Sequence, residues 1–182
     1  KKLNESLERG VAKVKEAFGP LLITSEDKSK EEILIDELKQ RGEYISAAES
    51  ITGGLVVSSI IGVSGASDVL KESYITYSND VKHKILNVSY ETIDKYDVVS
   101  PEVAYEMLDG LIEKTSSDLC LATTGYAHLG IAYLAVLYKG KKYLRKITAK
   151  GDRNKVRRIA KNKLIDMSIL IVRGDYEDDI NI

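Results

Sequence analysis

Short apolar runs alternate with helix-patterned segments along most of this chain, and that alternation narrows the fold more than any other feature. Tyr44 to Ala48, Ser73 to Tyr77, Asp118 to Thr124 and Ile131 to Tyr138 read as strands. Lys139-Gly140-Lys141 makes a hairpin turn that returns through Tyr143, Leu144 and Ile147. Between them lie helical patterns: Ile33, Ile35 and Leu38 stopped by Gly42, then Gly53 to Ile61, Asp80 to Leu86 and Ser89 to Tyr96. Ser100-Pro101-Glu102 opens a further helix, with serine at the cap and proline at the first position, carrying Ala104, Met107, Leu108 and Leu111 inward. Asp152 caps the last helix, with Val156, Ile159, Leu164 and Met167 on its inner face. The expected fold is α/β: a three-layer α-β-α domain with a mixed central sheet.

Length and composition set the outer limits. A chain of 182 residues suits one domain with a short appendage, and at that size needs no disulfide or metal to fold. Residues 1–28 read as an N-terminal helical appendage, with Leu3, Leu7, Val11, Val14 and Phe18 on one face and a stop at Gly19-Pro20. Leu21 to Ile23 is a short apolar run, and Thr24 to Lys30 a charged connection. The main domain spans 29–174, and 175–182 is an acidic tail. The net charge of −1 argues against nucleic acid or an anionic membrane as the main partner. No apolar run approaches a membrane span. Cys120, the one cysteine, lies in an apolar run and reads as a buried small hydrophobe, which fits a reducing, cytoplasmic setting. With two histidines far apart, no metal site and no cofactor are expected.

The segment with the most chemical content is Ala47-Ala48-Glu49-Ser50-Ile51-Thr52-Gly53-Gly54, between an expected strand and an expected helix. The first turn of a helix leaves N–H groups unpaired and positively polarised, able to hold a phosphate or a developing oxyanion. Paired glycines let a ligand come close to the backbone. Ser50 would project there as a nucleophile on a strand-to-helix turn; on local pattern alone, Ser50 or Thr52 could equally be a helix cap. The segment is neither a P-loop nor a dinucleotide fingerprint, because the Gly-Lys-Ser/Thr ending and the glycine spacing are absent.

Residues 48–54 resemble the Ala-Glu-Ser-Cys-Thr-Gly-Gly motif of the CinA C-terminal domain, with Ile51 in place of the cysteine. The resemblance continues in order through Gly65-Ala66-Ser67, Tyr77-Ser78-Asn79-Asp80-Val81-Lys82, Val99-Ser100 and Gly151-Asp152-Arg153 with Arg157. It covers about residues 30–172, and Leu7 to Lys28 resembles the stretch that precedes this domain in full-length members. That stretch reads as a relic or fragment of a longer architecture.

The resemblance implies hydrolysis of the carboxamide of nicotinamide mononucleotide to nicotinic acid mononucleotide and ammonia. It assigns catalytic roles to Ser50, Tyr77 and Lys82, in the manner of serine–lysine–tyrosine hydrolases. Glu49, Thr52, Gly53, Gly54, Asn79, Thr124, Gly125, Arg153 and Arg157 form the implied substrate-binding set. Oxyanion donors are expected among the N–H groups near Thr52 to Gly54. Each residue has a plainer reading. Tyr77 is one of 11 tyrosines, Lys82 beside His83 and Lys84 could belong to an exposed basic face, and Asn79 could be a cap. Arg153 and Arg157, one turn apart, could clamp a phosphate or pair with surface carboxylates. The expected partners are a small-molecule nucleotide and further copies of the chain, a homo-oligomer. The alternative is a non-catalytic nucleotide-binding or oligomerisation module. One departure bears on that choice. Thr124-Gly125-Tyr126-Ala127-His128-Leu129-Gly130 runs straight into Ile131, without the Gly-Pro pair, glycine-rich loop and proline that border the ligand in the family.

Overall fold

The computed structural model describes residues 2–19, 22–25 and 27–177. Pro20, Leu21 and the acidic end from Asp178 onward lie outside them. Helix α1 (Lys2–Phe18) leaves Leu7, Val14 and Phe18 exposed. Helix α2 (Lys30–Arg41) begins with a capping box, in which the Ser29 hydroxyl accepts from Glu32 N–H while the Glu32 carboxylate accepts from Ser29 N–H. It ends at Gly42 in the left-handed conformation.

Strand β1 (Ile45–Glu49) is buried along its whole length. It is the parallel neighbour of both β2 (Tyr74–Ile75) and β3 (Leu119–Tyr126). Strands β4 (Ile131–Tyr138) and β5 (Lys141–Thr148) continue antiparallel from β3, giving one five-stranded mixed sheet in the order β2-β1-β3-β4-β5. Side chains alternate across the sheet with period two. Ile45, Ala47, Leu119, Leu121, Leu134 and Val136 face a core with α2, α3 (Leu55–Ile61) and α7 (Arg153–Arg173). Ala48, Cys120, Ala122, Ala135 and Leu137 face the opposite core with α4 (Asn79–Leu86), α5 (Tyr90–Tyr96) and α6 (Pro101–Thr115). The architecture is therefore the expected three-layer mixed α/β domain.

Three boundaries differ from the sequence pattern in ways that shape the site. The helix expected from Gly53 starts at Leu55, because Gly53 (φ 56°) and Gly54 (φ 94°) sit in the left-handed region, which a right-handed helix cannot include. The expected strand 73–77 shrinks to Tyr74–Ile75, because Ser78 caps α4 by accepting from Val81 N–H and the chain must bend to enter it. Strand β3 runs on to Tyr126 and turns back at once through Ala127–Gly130, with Leu129 N–H bonded to Tyr126 O and Gly130 N–H to Ala127 O. Gly130 has φ 69°, and a Cβ there would lie 2.0 Å from Ala149 O, so the turn has little latitude. Among the described residues no helix is long and apolar enough to cross a membrane.

Candidate active site

The site forms where β1 stops and its parallel neighbour β3 continues. At this edge the chain leaves β1 through Ser50, whose N–H still bonds to Thr123 O at 3.0 Å. Beyond it Thr52 is buried, its hydroxyl 2.8 Å from that of Thr123. Arg157 of α7 reaches across and donates from Nε to Ile51 O (3.1 Å) and from Nη2 to Thr52 O (2.8 Å). These contacts give the turn a fixed shape, with Ser50 at its apex.

Glu49 decides what the following helix can do. Its carboxylate is buried at the end of β1 and accepts from the N–H groups of Gly54 (2.9 Å), Val56 (3.1 Å) and Val57 (2.8 Å). Of the donors expected to receive a phosphate or an oxyanion, Gly54 N–H is thus occupied by an internal anion, as are those of Val56 and Val57 in the first turn of α3. Gly54 and Glu49 bond to each other across the turn, and neither lines the cavity beside Ser50. Gly53, Thr52 and Arg157 also lie outside that cavity's lining, because they build the turn from behind.

The cavity has a volume of about 270 Å³. Ser50 and Lys82 form its floor, Val98, Val99, Thr124 and Gly125 one wall, and Tyr126, Ala127 and His128 its outer side. Tyr77, Asn79 and Arg153 close the remaining side. Thr124 is held by its hydroxyl donating to Val98 O at 2.8 Å. Tyr126 is tied to Asp97 through its hydroxyl (2.8 Å), and the His128 ring leans against it. Among the lining residues there is no carboxylate, whereas Lys82, Arg153 and His128 are basic. Among the described residues no cluster of three His, Cys, Asp or Glu could hold a metal ion.

Lys82 is the group that deserves most chemical weight. It sits on α4, is 1% exposed, and has no carboxylate partner. Its Nζ lies 3.1 Å from Ser50 Oγ, 2.9 Å from Thr76 O and 3.4 Å from Tyr77 O. Burial lowers its pKa from 10.5 to about 8, because desolvation penalises the charged form. A neutral amine here can keep two N–H bonds to the carbonyls and turn its lone pair to the Ser50 hydroxyl. The structure therefore brings Ser50 and Lys82 together. The Tyr77 ring is 63% exposed, and its hydroxyl accepts from Arg153 Nη2 at 2.8 Å, so it bonds to the cavity's cation and not to the dyad.

Pattern reading missed Val98 and Ile51 as lining residues. Val98 and Val99 precede the Ser100 cap and carry no chemical signature, and Ile51 counted only as a departure from a motif. Glu49 could have been recognised as a capping anion, since an acidic residue just ahead of a helix start is placed to meet its free N–H groups.

Comparison with known proteins identifies the family. The profile of the CinA C-terminal domain matches residues 27–169. A CinA-like protein of Kosmotoga olearia is 39% identical over 153 residues, which cover 79% of this chain and 37% of that protein. A CinA-like protein of Dictyoglomus thermophilum is 32% identical over 160 residues, covering 83% of this chain and 39% of that protein. The chain spans about two fifths of the length of the curated relatives it matches. Among solved structures, a competence/damage inducible protein from Agrobacterium tumefaciens superposes with a TM-score of 0.75 at 25% identity, covering 82% of this chain and 99% of that one. A CinA superfamily protein from Klebsiella pneumoniae gives 0.76 at 21% identity, covering 81% and 99%. The chain belongs to the CinA family, and the matched region is its CinA C-terminal domain.

Proposed function

We propose that this domain is a serine amidohydrolase acting on the carboxamide of nicotinamide mononucleotide or a close relative. The observation that carries the reading is the buried, carboxylate-free Lys82 amine 3.1 Å from the Ser50 hydroxyl on a cavity floor. A serine hydroxyl is a poor nucleophile until a base removes its proton, and a desolvated lysine is one such base. Ser50 Oγ adds to the carboxamide carbon as its proton passes to Lys82 Nζ. The C–N bond then breaks, and the Lys82 ammonium returns the proton to the departing nitrogen, which leaves as ammonia. Water, deprotonated by the same amine, cleaves the resulting acyl ester to a carboxylate and restores Ser50.

The ligand class follows from the lining. A cavity with Arg153, Lys82 and His128 and no carboxylate favours an anionic substrate, and Arg153 with Asn79 can meet its phosphate and amide. A volume of about 270 Å³ lies at the low end for small-molecule sites and favours a mononucleotide over a dinucleotide. Ammonia release from nicotinamide mononucleotide, its riboside and NAD tests both points, with the mononucleotide expected to be hydrolysed fastest. Equal turnover of NAD would reject the size argument. A second reading, a nucleotide-binding module with little turnover, draws support from the brevity of the turn Ala127–Gly130, which offers only Ala127 and His128 to the cavity lining. Water entering there weakens every electrostatic contact made to the transition state.

The base role of Lys82 is tested by pH. Because the working form of Lys82 is the neutral amine, kcat/KM should rise tenfold per pH unit at low pH and level off above about 8. A limb that kept rising toward the ordinary lysine value of 10.5 would remove Lys82 from the base role.

A further inference from the structure

Hydrolysis by Ser50 creates an oxyanion that needs donors, and the helix start behind it cannot supply them. Gly54, Val56 and Val57 N–H already bond to Glu49, and Leu55 N–H bonds to Thr52 O. Thr52 and Gly53 lie outside the cavity lining. What remains on the cavity side is the N–H of Ile51, the residue after the nucleophile, for which no acceptor is found among the described residues.

A second donor follows from the ladder. Leu119 N–H bonds to Tyr44 O and Thr123 O accepts from Ser50 N–H, so the odd-numbered residues of β3 aim their backbone groups at β1 and the even-numbered ones at β4. Gly125 is the next odd residue after Thr123. It therefore points its N–H to the side where β1 has ended and Ser50 begins, and it makes no backbone bond to Ser50 O. It lines the cavity. A Cβ on it would lie 2.6 Å from both Ile51 Cδ1 and Ile131 O, so this glycine and Ile51 are packed directly against each other.

We propose that the backbone N–H groups of Ile51 and Gly125 form the oxyanion hole of this site, with Arg157 as the residue that positions the Ile51 end. The inference rests on the hydrolase reading of Ser50 and Lys82. When Ser50 Oγ bonds to the carboxamide carbon, the carbonyl π pair moves to oxygen. The two N–H groups stabilise that charge until it returns and expels ammonia. Arg157 touches neither substrate nor cavity. Its bonds to Ile51 O and Thr52 O hold the peptide planes that set where the turn points.

The test removes single N–H groups from the full chain by replacing Ile51 or Gly125 with the corresponding α-hydroxy acid, which turns one amide into an ester. Each ester is expected to lower kcat on nicotinamide mononucleotide by about 10²–10³-fold with little change in KM. Where turnover is too slow to read, the rate of Ser50 phosphonylation by a fluorophosphonate takes its place, since its phosphoryl oxygen gains negative charge as Ser50 adds and fluoride leaves, and calls on the same donors. Arg157→Lys should lower kcat about tenfold with KM unmoved, and added guanidinium should restore part of the loss in Arg157→Ala. Ester variants within about threefold of the unmodified protein, while Ser50 still reacts, would overturn the oxyanion assignment alone. A raised KM with unchanged kcat in Arg157→Lys would make Arg157 a ligand contact and overturn its positioning role. Failure of the fluorophosphonate to label Ser50 in the unmodified protein would take down the hydrolase reading and this inference with it.

Discussion

Lys82→Met is expected to lower amide hydrolysis by about 10³-fold or more, the scale on which a base acting as a unit with its nucleophile fails. Methionine fills nearly the same volume in the α4 position but cannot take the Ser50 proton. Ser50→Ala should lose as much, and the double variant little more, because each single change already disables the pair. The loss should not come from unfolding. A buried lysine whose pKa falls from 10.5 to about 8 opposes folding. Below pH 8 both states carry the proton and the full cost applies, about 3 kcal/mol by linkage. Between pH 8 and 10.5 the folded state has shed the proton that the unfolded state still binds, so the cost fades and stability from this group rises. Methionine removes that cost but strands the Thr76 and Tyr77 carbonyls, which costs about 1–3 kcal/mol. The two effects nearly cancel, so thermal melting at pH 7 should move by only a few degrees. A large fall in melting temperature would make Lys82 a structural residue first.

Glu49→Gln should do the opposite, damaging stability and chemistry together. An amide can offer only one acceptor oxygen, and it turns an NH₂ group toward donors that now lack a partner. Three backbone N–H groups depend on this carboxylate in a buried turn. Breaking a charged cap of that kind costs about 3–5 kcal/mol. Denaturant midpoints would show it as a large shift with an unchanged slope. Any surviving folded protein should be slow, because the turn that presents Ser50 and Ile51 leans on the helix that Glu49 caps. A Glu49→Gln protein of normal stability would mean that the three N–H groups find other acceptors.

The layered fold was legible because it depends on local pattern: apolar runs, caps such as Ser100 and Asp152, and the Lys139-Gly140 turn all act within a few residues. The site was legible only in pieces. Ser50 at a strand end is a local signal, but its partner lies 32 residues on and arrives by the docking of α4. Nothing near Lys82 in sequence distinguishes a buried amine from the exposed neighbours His83 and Lys84. Arg157 reaches carbonyls 105 and 106 residues away, a relation set by the packing of α7 and invisible to spacing. At Gly54 the chain itself meets the N–H group that a ligand anion was expected to meet. A free helix start attracts any anion, and the chain supplies its own in Glu49.

The turn Ala127–Gly130 has a kinetic consequence. Many hydrolytic sites trade speed of ligand exchange for protection, because a loop must fold over the substrate and swing away before product departs. Here Gly130 is wedged against Ala149, the turn is closed by its own backbone bonds, and Tyr126 is moored to Asp97, so this turn is held in place at both ends. If the domain works as proposed, ligand exchange at this mouth should be ungated and governed by diffusion and contact strength, with the chemical step as the slow one.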